Sequence, residues 1–206
     1  VDEGRDGRIR PAHRALGVLP QLQLAEAHLQ RVVDQAPADE RLTDAGLNAP
    51  HVHSFDAENG FVLMSDLGTQ LFLPALTSAT VDTLYNQALD ALLRMQTDVA
   101  SDDLPPYDEV RLVAEMELMP TWFLERHLGF TPECEDWDVI EPAFRALVNS
   151  ASQQTPCFVH RDFHSRNLLL SDDGNPGILD FQDAVRGPMT YDLVSLLRDC
   201  YIAWPA

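Results

Sequence analysis

An α+β fold in two lobes, with a little sheet ahead of a mainly helical body, is what the order of patterns along this chain predicts. Three observations carry it. A short apolar strand follows a strong turn signal near residue 60. Helical periodicities then run from residue 81 to about 150. A second hairpin, bearing polar residues at its ends, precedes a closing helix.

The elements follow in order. Asp2 to Pro20 mixes Gly, Arg and Pro with no sustained period, and Leu22, Ala25, Leu29 and Val32 mark a short helix over Leu22 to Val33. Asn48-Ala-Pro breaks the chain. Phe61-Val-Leu-Met follows Asn59-Gly60 and reads as one strand of a hairpin, with Ser65-Asp-Leu-Gly-Thr as the connector beyond it. Leu84, Ala88, Leu92 and Met95 lie at spacings of four, four and three, which gives one apolar helical face. Asp108 is placed to cap a second helix through Met119. Pro120 permits a restart or a kink, and Gly129 ends the segment that follows. Ile140, Phe144, Leu147, Val148 and Ala151 mark a third helix. Short apolar runs then come at Cys157 to Val159, Leu168 to Leu170 and Gly177 to Phe181. The last two flank Ser171-Asp-Asp-Gly-Asn, a turn by composition. Tyr191 to Ile202 is expected as the closing helix, with Leu193, Leu196, Leu197 and Cys200 on one side. No internal repeat or low-complexity tract is present.

Composition narrows the function classes. The 206 residues carry 33 acidic and 14 basic side chains, a formal net charge of −19, and every basic residue is arginine. Such a surface repels a nucleic-acid backbone and an anionic membrane. No apolar run approaches the roughly 18 residues of a membrane helix. Cys134, Cys157 and Cys200 are far apart and form no C-x-x-C pair, which argues against a thiolate zinc site and a disulfide framework. Cys157, in an apolar run, reads as a small buried hydrophobe. A reducing cytoplasm fits. The chain opens on Val1 and stops at Ala206 in mid-pattern, so a partial chain is expected, and an export signal could have been lost with a missing end.

The chemistry concentrates in His160-Arg-Asp-Phe-His-Ser-Arg-Asn167 and, after a hairpin, Ile178-Leu-Asp-Phe-Gln-Asp183. Phosphoryl transfer from ATP needs one carboxylate to receive the acceptor hydroxyl's proton and oxygen ligands to hold Mg²⁺ against the phosphates. Asp162 and Asn167, five residues apart on one loop, can aim into a single cleft, and Asp180 can reach the same metal from the second hairpin strand. The pattern matches the H-x-D-x-x-x-x-N catalytic loop and the Asp-Phe metal motif of the kinase fold. A rival reading takes His160, Asp162, His164 and Asp180 as a metal-hydrolase cluster. Its weakness is that no other histidine follows at a useful spacing. His160 fits better as a residue bracing the loop.

The segments Phe158-Val-His-Arg-Asp-Phe-His-Ser-Arg-Asn-Leu-Leu-Leu and Pro176-Gly-Ile-Leu-Asp-Phe-Gln-Asp-Ala-Val-Arg-Gly-Pro-Met-Thr-Tyr-Asp-Leu closely resemble one group of proteins. These are the cell-wall-recycling kinases that phosphorylate N-acetylmuramate and N-acetylglucosamine at the anomeric hydroxyl, within the aminoglycoside phosphotransferase superfamily. Gly60-Phe-Val-Leu-Met-Ser-Asp-Leu-Gly-Thr-Gln and Met119-Pro-Thr-Trp-Phe-Leu-Glu-Arg-His-Leu-Gly resemble two further stretches of the group. The resemblance implies a protein-kinase-like bilobal fold, with 1–67 as a partial N-lobe and hinge and 68–206 as a mainly helical, C-terminally truncated C-lobe. It implies ATP and Mg²⁺ as cofactors and a small sugar as acceptor.

By the same resemblance Asp162 is the base, and Asn167 and Asp180 are the metal ligands. Met64, Ser65, Asp66 and Leu67 form the hinge that meets adenine, and Asp192 braces the catalytic loop. Trp122 and Arg126, at i and i+4 of one helix, stand as candidates for the sugar ring and a lactyl carboxylate, with a core Trp beside a surface Arg as the alternative. Asp183 either touches substrate or pairs with Arg166 or Arg186. Residues 1–44 show no Gly-rich turn between strands and the chain has no lysine, so a truncated or rearranged N-lobe is expected. An aminoglycoside kinase, and a sugar-binding piece without turnover, are the competing functional readings.

Overall fold

The computed structural model describes residues 36–56, 59 and 61–204; the helix expected over Leu22 to Val33 lies outside them. Helix α1 (Ala36–Asp44) leads through Gly46 into the hairpin β1 (Val52–Asp56) and β2 (Phe61–Met64). The two strands pair antiparallel, with a register shift between Val52 and Ser54. The Asp56 carboxylate accepts from the Asn59 amide at 3.1 Å and so closes the turn.

A short helix α2 (Phe72–Ala75) and the long α3 (Val81–Asp98) follow. The face expected for α3 is the buried one: Leu84, Ala88, Leu92 and Met95 all pack in the core with Phe72, Phe158, Phe163, Leu168, Ile178 and Leu196. Asp108 caps α4 (Glu109–Met116) by accepting from the Arg111 amide at 3.2 Å. That helix ends at Met116 rather than at Met119, and a π-helical turn, Met119–His127 with Pro120 near its start, takes over. Gly129, at φ 67°, ends it as expected. Helix α5 (Cys134–Ser152) opens on a capping box between Glu133 and Asp136.

The remaining strands nest inside one another. β3 (Pro156–Val159) pairs antiparallel with β6 (Val185–Pro188), and between them β4 (Leu168–Leu169) pairs with β5 (Gly177–Ile178). Nesting brings the β3–β4 loop and the β5–β6 connection to the same end of the two hairpins. The expected strand to Phe181 stops at Ile178 because Asp180 adopts the left-handed conformation, φ 67° and ψ 36°, and Phe181–Asp183 form a 3₁₀ turn. Cys157 is buried opposite Gly187, as the apolar run implied.

The closing helix α6 (Tyr191–Leu197) is shorter than the sequence suggests. Leu196 is buried and Leu193 packs partly against the core, but Leu197 is 52% exposed and Cys200 is exposed as well. The helix stops because Asp199 turns inward. Its carboxylate accepts from the Ser165 amide at 3.0 Å, from the Ser165 hydroxyl, and from the Tyr201 amide at 2.9 Å. Among the described residues, no helix is long and apolar enough to cross a membrane.

Candidate active site

The β3–β4 loop is fixed before any side chain reaches solvent. His160 and Asp192 are both fully buried. Asp192 accepts from the His160 amide at 2.7 Å and the Arg161 amide at 2.9 Å, so a carboxylate of α6 satisfies two buried donors of the loop. The His160 ring donates from Nε2 to the Leu179 carbonyl at 2.9 Å, which ties this loop to the β5–β6 connection. Burial holds the His160 imidazole down at about 4, so it is neutral at pH 7. Burial pushes the Asp192 carboxyl up to about 7, against the two amide bonds that favour its charged form.

Those two shifts give opposite stability slopes. Asp192 has an ordinary value of 3.8, so up to about pH 7 the folded chain holds a proton that the unfolded chain has lost. Its contribution to stability therefore falls as pH rises through that window. His160 has an ordinary value of 6.5, so down to about pH 4 it is the unfolded chain that binds the extra proton, and stability rises with pH. Each slope reaches at most about 1.4 kcal/mol per pH unit, and in wild type they oppose each other. In chemical denaturation, Asp192→Asn should gain stability relative to its own low-pH value more steeply than wild type as pH rises from 4 to 6.5. His160→Gln should show the reverse. Parallel pH curves for all three proteins would refute the assignment.

Arg161 sits at φ 79°, a conformation that costs a non-glycine residue roughly 1 kcal/mol, and its main chain and one guanidinium nitrogen are held by neighbours. Besides its amide, its carbonyl accepts from Ser195 Oγ at 3.2 Å, and its guanidinium meets Glu115 at 2.6 Å. Glu115 also accepts from the hydroxyls of Tyr107 and, at 2.8 Å, Tyr191. Burial opposes ionisation of Glu115, but these three donors outweigh it and hold the carboxyl below its usual range. Burial together with the Glu115 carboxylate pushes the Tyr191 phenol up to about 12.

Asp162, the next residue, faces a cavity of about 560 Å³ between the loop and α6. Burial raises its carboxyl; His164 and Arg161 pull it down, and Asp180 and Asp183 push it further up. Asn167 donates from Nδ2 to the Asp162 carbonyl at 2.9 Å, and the same nitrogen lies 3.4 Å from Asp180 Oδ2. Its Oδ1 is left as an acceptor, and Gln182 donates to the other Asp180 oxygen. Asn167 and Asp180 thus lie side by side at the end of the nested hairpins, with Asp162 near enough for its carboxyl to feel the Asp180 charge, and carboxylate and amide oxygens are donors that a hard divalent cation takes. Among the described residues, no three His, Cys, Asp or Glu side chains converge on a point that could hold a metal. The His160–His164 cluster reading therefore lacks its ligand set.

The other expected residues scatter. Met64, Ser65, Asp66 and Leu67 end β2 and form the connector. The Ser65 amide is already bonded to the His51 carbonyl at 2.9 Å, and Asp66 closes a turn on the Gly68 amide at 2.8 Å. Asp183 lines a second cavity, of about 450 Å³, with Arg161 and Glu115 on its wall. Arg186 reaches toward Asp102 at 3.6 Å, and Arg166 lies over the Tyr201 ring at 4.7 Å. Trp122 is 55% exposed, and the Arg126 guanidinium stacks on it at 4.4 Å. The core-Trp alternative is therefore excluded, and neither residue lines the cavity at Asp162.

Sequence reasoning missed Glu115 and Asp199. Asp199 stands seven residues after Asp192, two helical turns along the closing segment, and that spacing was a usable signal. Glu115 had none, because its partner Arg161 is 46 residues away.

Comparisons with known proteins bear on the family and the fold. The N-acetylmuramate/N-acetylglucosamine kinase of Pseudomonas aeruginosa is 46% identical over 164 residues, 80% of this chain and 48% of the relative. Its counterpart in Pseudomonas putida is 41% identical over 167 residues, 81% of this chain and 49% of the relative. The chain thus spans about half the length of the curated relatives it matches. Among solved structures, ADP-bound aminoglycoside phosphotransferase APH(2'')-Ib superposes with a TM-score of 0.58 at 18% identity, covering 83% of this chain and 62% of that one. Choline kinase LicA from Streptococcus pneumoniae does so with a TM-score of 0.54 at 16% identity, covering 80% of this chain and 54% of that one. These likenesses establish the protein-kinase-like α+β fold. The APH phosphotransferase enzyme family matches residues 5–206, and the chain belongs to that family.

Proposed function

We propose that this chain carries the phosphoryl-transfer site of an ATP-dependent kinase acting on the anomeric hydroxyl of an N-acetylated amino sugar, N-acetylmuramate or N-acetylglucosamine. The convergence of Asp162, Asn167 and Asp180 supports it, in a chain 46% identical to a kinase named for those two sugars. Peptidoglycan recycling in the cytoplasm is the setting that such acceptors imply. The aminoglycoside reading rests on neighbours at 15–19% identity, a level that speaks for the fold alone.

In this reading Asp162 receives the proton of the acceptor hydroxyl, and its raised carboxyl makes it a better acceptor than an ordinary surface aspartate. Asn167 and Asp180 hold Mg²⁺, which when bound with ATP neutralises the phosphate oxygens. Residues 64–67 are the hinge between a partial N-lobe, 1–67, and the C-lobe, 68–206. With the Ser65 amide committed, the amides of Asp66 and Leu67 are left to meet adenine. Asp192, Asp199 and Glu115 hold the loop so that Asp162 does not have to be ordered by substrate.

An anomeric hydroxyl is more acidic than a ring alcohol, so a carboxylate suffices to guide its proton during a loose, in-line transfer. The expected product is a sugar 1-phosphate, labile to mild acid. A 1-O-methyl glycoside of N-acetylglucosamine should bind and not react. Phosphorylation of that glycoside at O6, detected by phosphorus NMR, would assign the chain to a different branch of the family.

A further inference from the structure

Helix α6 turns one side toward the cavity at Asp162. Tyr191, Val194 and Ser195 of the helix, and the exposed Arg198 that caps its C-terminal end, all line it. Two of these residues are occupied. The Tyr191 hydroxyl is bonded to Glu115, and Ser195 holds the Arg161 carbonyl. Arg198 is different: among the described residues no hydrogen bond, ion pair or ring contact engages its guanidinium. The adjacent carboxylate does not neutralise it, since Asp199 is buried and bonded to Ser165 and Tyr201.

The charge census of the cavity wall makes that cation meaningful. Arg161 is the other arginine there, and its charge is matched by Glu115 at 2.6 Å. The protein as a whole carries 33 acidic groups against 14 basic ones, so an anionic acceptor approaching Asp162 meets net repulsion unless a cation is placed for it. A planar guanidinium with free donors is the side chain best suited to a carboxylate. The cavity, about 560 Å³, has room for a substituted hexosamine.

We infer that Arg198 is a specificity-determining residue that reads a carboxylate on the acceptor sugar, in the cavity that Asp162 also lines. The inference rests on the amino-sugar reading above and deepens it. N-acetylmuramate differs from N-acetylglucosamine by a lactyl ether bearing one carboxylate, so Arg198 binds the first and is idle with the second. Arg126, stacked on Trp122 outside this cavity, does not take that part.

The test compares the two sugars in calorimetric binding and in kcat/KM on wild type, Arg198→Gln, Arg198→Lys and a control, Arg111→Gln, whose side chain lines the neighbouring cavity. Arg198→Gln should lose roughly tenfold or more in affinity and kcat/KM for N-acetylmuramate, the cost of one charged hydrogen-bonded contact at a partly solvated site. Its constants for N-acetylglucosamine should stay within about twofold of wild type. Arg198→Lys should recover part of the loss, because the charge remains and the two-pronged geometry does not. Equal losses on both sugars, or none on either, would overturn the inference while leaving the kinase reading intact. A raised KM for ATP with unchanged sugar discrimination would overturn it too, by assigning Arg198 to a phosphate. A wild-type protein that neither binds nor phosphorylates either sugar removes the amino-sugar reading itself, and this inference with it.

Discussion

Asp162→Asn is expected to lower turnover by about 10²-fold or more while acceptor affinity stays within about twofold. Asparagine keeps the size and one hydrogen-bonding oxygen of the side chain but cannot take a proton. The loop should not move, because its shape depends on other groups. Asp192 holds the His160 and Arg161 amides, Asp199 holds Ser165, and Asn167 bonds the Asp162 backbone carbonyl rather than its carboxylate. The loss therefore falls on kcat and not on KM, the signature of a group that acts in the transition state. Steady-state kinetics with thermal melting as a folding control decide it. Unaltered turnover in a folded variant would remove Asp162 as the base.

The elements that could be read from sequence were those whose cause is local. The spacing of Leu84, Ala88, Leu92 and Met95 gives the buried face of α3, and the strand expected after the turn signal is β2, paired with β1. The proximity of Asp162, Asn167 and Asp180 was legible for a similar reason. Asn167 adjoins β4, Asp180 lies two residues past β5 and Asp162 three residues past β3, and the nested pairing brings those ends together. What failed had its cause elsewhere in the chain. The closing helix ends at Leu197 because Asp199 is drawn to Ser165, 34 residues away, and no local breaker announces it. Trp122 and Arg126 do share a face, as their spacing requires, but spacing does not say what that face looks at. They stack on each other, and the arginines lining the cavity at Asp162 are Arg161 and Arg198.

The Glu115 cluster explains why a large residue occupies the left-handed position before the base. Glycine would adopt φ 79° without penalty and keep the main-chain bonds to Asp192 and Ser195, but it would lose the side-chain tie to Glu115. Arginine carries a small conformational cost and adds that tie, a side-chain anchor on α4. The Glu115 ion pair is about one-third exposed, so its worth lies less in stability than in holding geometry.

Removing the carboxylate of Asp180 should be the other severe change, and the choice of substitution matters. Asp180 lies at φ 67°, where Asn is tolerated and Ala is strained, so Asp180→Ala confounds a lost ligand with a disturbed backbone. Asp180→Asn keeps the turn, and the Gln182 side chain retains an oxygen to bond. It removes the negative charge that the proposed Mg²⁺ would take from this position, beside Asn167, whose amide nitrogen lies 3.4 Å from the carboxylate. Transfer should fall by roughly 10³-fold, matching the several kcal/mol that metal charge stabilisation supplies. The decisive readout is nucleotide binding, measured by calorimetry with and without Mg²⁺. In wild type, Mg²⁺ should strengthen ATP binding, whereas in Asp180→Asn the two titrations should nearly coincide, with the melting temperature preserved. Retention of the full Mg²⁺ effect in that variant would mean that the cation is held elsewhere.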